Sequence, residues 1–333
     1  MNGHRVPPAG PEGVLVSTAK KSAKKDSAKN ATVKRVKSAK AEKPATLKRR
    51  SCGAMQVHMR LLETNPSFRG NQFKLENDIA KLKTSAFDLA TVPIATINVV
   101  VHVVFNTAAQ NISDAQIASQ IAALNKDYRA TNADKSKVPT PWKGLVTDTR
   151  VNFVLKQVTR TQTTKTSFSD DDGVKKTSGG GHPAVDVTKF LNFWVCNLGG
   201  GLLGYAQFPG GPKPTDGVVI LHSAFGTVGT AAAPFNKGRT ATHEVGHYLN
   251  LRHIWGDTAD CSGSDLVADT PNAAGPNFNT PPFPTITCNN GPNGDMFMNY
   301  MDYVDDVAMF MFTTQQVLRM RSTLNGPRFK LWH

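Results

Sequence analysis

The sequence predicts an α+β fold: a mixed sheet of five strands with one early helix, then a histidine-bearing helix, then a long irregular stretch closed by a final helix. Three observations lead there. Pro93 opens an unbroken, largely β-branched run, Ile94–Phe105, long enough for a central strand. Four shorter apolar runs come after it at Val151–Val158, Leu191–Val195, Leu202–Phe208 and Gly217–Leu221. Beyond Trp255 periodicity is lost until Thr314–Leu324, where Val317, Leu318 and Met320 mark the closing helix.

The chain begins differently. Residues 1–50 carry 14 Lys/Arg against Glu12, Asp26 and Glu42, with no aromatic residue. Such repeated Ala-Lys-Lys and Ser-Ala-Lys units cannot bury enough apolar surface to offset chain ordering, so they read as a disordered basic tail. A polyanion-binding arm and a solubilising or removable extension both fit it. In residues 51–90, Met59, Leu61, Leu62, Phe73, Leu75, Ile79 and Leu82 sit among charges, the pattern of one or two amphipathic helices. So small a segment has little core of its own and docks on the larger, C-terminal part of the chain. Ser113 or Asp114 caps a further helix with Ile117, Ile121 and Leu124 on its inner face. Residues 161–183 are polar and Gly-rich, a loop.

The net charge of +14 belongs to the tail, because the remaining chain carries 25 basic and 22 acidic groups. No zinc-finger, stacking-aromatic or phosphate-loop pattern accompanies it, which argues against a nucleic-acid-binding protein. No apolar run is long enough to span a membrane as a helix. Gly13–Val16 is too short for the apolar core of a signal peptide, so the sequence names no export route. Cys52, Cys196, Cys261 and Cys288 form no Cys-x-x-Cys pair, which leaves no thiolate zinc knuckle.

Chemistry concentrates in His243-Glu244-Val245-Gly246-His247-Tyr248-Leu249-Asn250-Leu251-Arg252-His253. His243 and His247, four apart, point from one face of a helix, with Glu244 beside them. His253 is too far along for that face, but a turn at Asn250, a residue tolerant of positive φ, returns it to the metal. Three neutral imidazoles and an open position suit catalytic zinc, and Glu244 is then the general base for the attacking water. Further on, Asn299-Tyr300-Met301-Asp302-Tyr303 offers a methionine to pack under the histidines. It also offers a tyrosine whose hydroxyl either steadies an oxyanion or simply packs.

With these two motifs in this order the sequence resembles the pappalysin (cytophagalysin) family of metzincin peptidases, from roughly Cys52 to Leu324. Supporting stretches include Leu191–Val195, Gly199–Pro209, Thr240–Trp255 and Asn299–Asp306. Asn250 stands where glycine is usual in metzincins generally, though this family accepts asparagine there. The resemblance implies a zinc endopeptidase acting on extended polypeptides. His243, His247 and His253 would hold zinc, with Glu244 as base, Tyr303 as transition-state stabiliser and Met301 in the Met-turn. It divides the chain into a tail (1–50), a pro-segment-like helical region (51–90), an upper catalytic subdomain (91–253) and an irregular lower one (254–333). It also implies a disulfide between Cys261 and Cys288 and a secreted protein. The acid-rich loop around Asp257 and Asp269 suggests structural calcium through hard oxygen ligands, as in similar enzymes. Unpaired backbone along Leu202–Phe208 is a template for an extended peptide.

Cys52, in Arg50-Ser51-Cys52-Gly53, has three readings. It is a zinc ligand blocking a latent enzyme, a disulfide partner of Cys196, or a plain free thiol. Under the first, activating cleavage falls between Gly53 and Thr91, with Lys81, Lys83 and Thr84-Ser85 as candidates. Asp302, Asp305 and Asp306 either favour basic side chains of substrate or serve packing and caps.

Overall fold

The computed structural model describes residues 49–82, 89 and 91–333. The basic tail to residue 48 and the candidate positions Lys83 and Thr84-Ser85 lie outside the described residues. Two helices come first, α1 (Ala54–Thr64) and α2 (Pro66–Leu82). Asn65 separates them, its Oδ1 accepting the Phe68 N–H at 3.0 Å while Pro66 occupies the first helical position.

The sheet contains β1 (Ala95–Phe105), β2 (Val151–Gln162), β3 (Leu191–Cys196), β4 (Gly204–Ala206) and β5 (Val218–Leu221), in the order β2-β1-β3-β5-β4. All pairings are parallel except β4 with β5. The inner strands are buried on both faces, hence their near-continuous apolar sequences. Helix α3 (Asp114–Tyr128) is capped by Ser113, whose hydroxyl accepts the Gln116 N–H, and packs against β2 and the histidine-bearing helix α4 (Arg239–Tyr248).

Two strands differ from the sequence reading. β2 runs on to Gln162, and β4 is three residues rather than seven. Gly200 and Gly201, at φ +65° and +76°, turn the chain just before β4, and Pro209-Gly210 ends it. Between these limits Leu221 N–H still bonds to Leu203 O, and Gln207 N–H to Gly217 O. β4 is the edge, and its outer side is already taken: Gly53 N–H donates to Gly204 O and Leu203 N–H to Ser51 O, both 2.9 Å.

After α4 the chain is largely irregular until α5 (Thr314–Asn325), capped by Thr313 and Gln316. A disulfide joins Cys261 to Cys288 across the loop. Beneath it, Asn277 donates from Nδ2 to Asp302 at 2.9 Å and to Asp295 at 3.2 Å, and both acids are fully buried. Burial, with Asp295 adding to it, pushes the Asp302 carboxyl up to about 7. Burial likewise raises Asp127 and Asp265 to about 6. A carboxyl raised in the folded state binds its proton more tightly there than in the unfolded chain. Its contribution is therefore fully present at low pH and is lost as pH rises through the folded value. Asp302→Asn should flatten the fall in melting temperature between about pH 4 and pH 7. Thermal scans across that range check this, and identical slopes for the two proteins would refute it.

Candidate metal centre

His243 and His247 leave the same face of α4 with their Nε2 atoms 3.1 Å apart. The helix then ends in a Schellman turn: Asn250 N–H bonds to His247 O and Leu251 N–H to Gly246 O, both 2.9 Å. Asn250 takes the left-handed position at φ +74°, as its residue type suggests. The turn delivers His253, whose Nε2 is 3.1 Å from that of His247. Tetrahedral zinc with Zn–N bonds of ~2.0 Å separates its ligand nitrogens by ~3.3 Å, so the three imidazoles fit that ion.

Each ring is held from behind. His243 Nδ1 donates to Tyr300 O at 2.7 Å and His247 Nδ1 to Leu251 O at 2.8 Å, which places both lone pairs on Nε2. Burial holds both rings well below the ordinary imidazole range, so they are neutral, as metal ligands must be. His253 alone faces a carboxylate, with Nδ1 2.5 Å from Asp257 Oδ1, and its ring stacks on Trp255 at 4.4 Å between centroids. Asp257 reaches it through a left-handed turn at Gly256 and Asp257. Asp269 goes elsewhere, accepting from Thr313 Oγ1 and Gln315 N at the start of α5.

Around the three rings lie Glu244, Cys52, Met301 and Tyr303. The Cys52 thiol donates to Glu244 Oε2 at 3.3 Å. Its sulfur and the three histidine nitrogens all lie within 4.8 Å of one another, in a fully buried group. Cys196 is a free thiol on β3, not paired with Cys52. Burial pushes the Glu244 carboxyl up to about 8 and raises the thiol as well, so a cation among the nitrogens would supply the charge that ionises them. Tyr303 is edge-on to His253 at 4.9 Å and reaches Cys52 O at 3.5 Å. Two glycines make the packing possible. A Cβ on Gly246 would come within 2.4 Å of the Met301 sulfur, and one on Gly204 within 2.9 Å of Glu244 Cγ.

Arg50, which sequence reasoning passed over, is buried one step further along the same groove. Its guanidinium bonds Asp306 Oδ1 at 2.6 Å and Thr240 Oγ1 at 3.1 Å, while Nε donates to Val304 O and the group lies over Phe235. The other Asp306 oxygen accepts the backbone N–H groups of Lys237 and Arg239 at the start of α4. Of the three acids after Met301, Asp306 is the one that meets this basic side chain, and Asp302 packs inside the lower part.

Three histidines converging beside a buried glutamate, under a sheet edge, define a zinc metallopeptidase centre. Residues 181–325 match the peptidase family described as pregnancy-associated plasma protein-A. An extracellular metalloprotease of Arthroderma benhamiae is 33% identical over 239 residues, covering 70% of this chain and 79% of its own. One from Arthroderma otae is 31% identical, over 81% and 88%. Mature mirolysin of Tannerella forsythia, solved with a cleaved peptide, superposes with a TM-score of 0.71 and 49% identity, over 72% of this chain and 96% of its own. Promirolysin, solved as a Glu-to-Ala mutant, gives 0.78 and 45%, over 85% and 97%. The chain belongs to the pappalysin family of metzincin metallopeptidases, and is a metalloendopeptidase.

The Asp257 contact predicts that Asp257→Asn lowers zinc affinity about 10- to 100-fold while leaving the fold intact. Chelator competition with circular dichroism as the fold control measures it, and unchanged affinity would refute it.

Proposed function

We propose that this chain is a latent zinc endopeptidase in which residues 51–90 are a pro-segment, 91–253 the upper and 254–333 the lower catalytic subdomain. The observation that carries this reading is the Cys52 sulfur among the three histidines, hydrogen-bonded to the glutamate that peptide hydrolysis would need. In it, His243, His247 and His253 hold zinc and Cys52 blocks the remaining position. Bound zinc supplies a polarised carbonyl and an acidified water. Glu244 takes the water's proton and passes it to the leaving amine. The Tyr303 hydroxyl donates to the oxyanion, a role supported by its reach to the Cys52 carbonyl. Met301 forms the floor under the rings.

Residues 50–53 lie along β4 as a bound peptide would, joined by main-chain bonds and one buried side chain. The Arg50 site therefore reads as a pocket for a basic side chain of substrate. Calcium in the lower subdomain is supported by the density of acids around Asp257 and Asp269, although in this structure Asp257 bonds His253 and Asp269 bonds Thr313 and Gln315. Secretion is supported by the extracellular relatives, and no described helix is long and apolar enough to cross a membrane.

Three variants test the reading. Glu244→Ala should keep its zinc and lose about 10²- to 10⁴-fold in turnover of casein. A normal rate would sink the mechanism. Cys52→Ala should raise the activity of the uncut chain severalfold, and equal activity at equal zinc content would rule out blockade by the thiol. Asp306→Asn in the active enzyme should cut kcat/KM about 10²-fold for arginine peptides and far less for norleucine analogues. A fall of equal size for both would show damage to the helix instead of lost recognition.

A further inference from the structure

The helices that follow Cys52 are held by more than the metal site. One face of α2 is buried through Phe68, Gln72, Leu75 and Ile79, a spacing of four, three and four that makes a single helical stripe. Beside it Glu76 reaches the catalytic part. Both Glu76 oxygens accept from the two terminal nitrogens of Arg319 on α5, Nη1 at 2.8 Å, and Oε1 also accepts from Asn250 Nδ2 at 3.2 Å. Arg319 Nε donates to Asn250 O at 2.7 Å, and its side chain is 1% exposed. The arginine thus ties α5 to the turn that carries the chain from His247 to His253. Among the described residues, its two outer nitrogens meet a carboxylate that α2 alone provides.

A buried guanidinium is strongly disfavoured without a counter-charge, and a bidentate carboxylate is its best partner. Further bonds reinforce the seat: Gln72 Nε2 to Pro209 O, Asn71 Nδ2 to Gly210 O, and Arg60 on α1 to Asp172. His58 packs on Phe208, whose ring lies 5.4 Å from that of His247. None of these contacts depends on a peptide bond beyond α2. Cutting the chain there removes the covalent tether and leaves them all in place.

We propose that the face around Arg319 is a docking site for an amphipathic helix that presents one carboxylate beside its apolar stripe, and that α2 stays bound to it after the chain is cut. The excised segment is then a non-covalent inhibitor, and activity appears when it dissociates or is digested. This rests on reading residues 51–90 as a pro-segment.

The test uses processed holoenzyme and two labelled synthetic peptides spanning residues 54–82, one with Glu76 and one carrying Glu76→Gln. Both lack Arg50 and Cys52, so neither can reach the metal or the Asp306 pocket. Fluorescence anisotropy reads binding, mass spectrometry confirms that the peptides remain whole, and hydrolysis of a fluorogenic peptide is monitored in parallel. The Glu76 peptide should bind saturably and its Gln counterpart about tenfold or more weakly. Gel filtration of freshly cut enzyme should show the excised fragment co-eluting at high concentration and separating on dilution. Equal affinity for the two peptides, or saturable binding by neither, overturns the docking site. A chain that gains activity without being shortened overturns the pro-segment reading itself. Shortened, active enzyme that ignores both peptides overturns only the inference drawn from Arg319.

Discussion

Everything in this molecule is arranged around three imidazoles that must be neutral, buried and aimed at one point. Their mutual approach, 3.1 Å between nitrogens, is tolerable only because each ring is fixed from its far side. Those supports come from separate parts of the chain: Tyr300 from the Met-containing turn, Leu251 from the end of α4, and Asp257 from the loop beyond. The irregular lower part therefore has a defined task. It brings a carbonyl, a methionine and a tyrosine to the open side of a helix that the sheet supports from behind. The disulfide and the buried acids add to the apolar residues this part buries, Met296, Met298, Tyr300 and Phe312 among them.

The same groove explains why so short a stretch as Arg50–Gly53 is so deeply buried. Two main-chain bonds extend the sheet by one strand, a guanidinium fills a charged pocket, and a thiol lies among the histidines. Each contact is modest alone, but they share one rigid frame. The ordering cost of the segment is met once for all of them. Its bridge to β4 is parallel, whereas β4 itself runs antiparallel to β5, so the segment and the inner neighbour of this edge run in opposite senses.

Much of this is legible in the sequence wherever the signal is local. The pair at His243 and His247, the turn at Asn250 and the β-branched run from Ile94 arise from residue type and spacing within a few residues, and the structure has all three. Contacts made by folding are not legible. Arg50 and Asp306 are 256 residues apart, and nothing in either neighbourhood announces the other. Cys52 has three readings in the sequence because its place depends on which way α1 docks. Asp257 is, by sequence, one more acid in a loop rich in them, and only the left-handed turn at Gly256 and Asp257 directs it to His253. Apolar composition overstates the length of β4 because it does not register where two glycines turn a ladder away.

Asp306 has two masters. One oxygen receives Arg50, while the other, with the Asp306 carbonyl, holds the first turn of α4 through Lys237 and Arg239. In the proposed reading, the residue that would meet a basic side chain of substrate is thus also a foundation of the helix bearing two histidines. Replacing this aspartate by a side chain that cannot accept those two N–H groups would change the pocket and loosen the start of the helix in the same step. The remaining walls, Thr240 and Phe235, meet the guanidinium without bonding the backbone that starts α4, so in that reading the pocket could be reshaped there without unseating the helix.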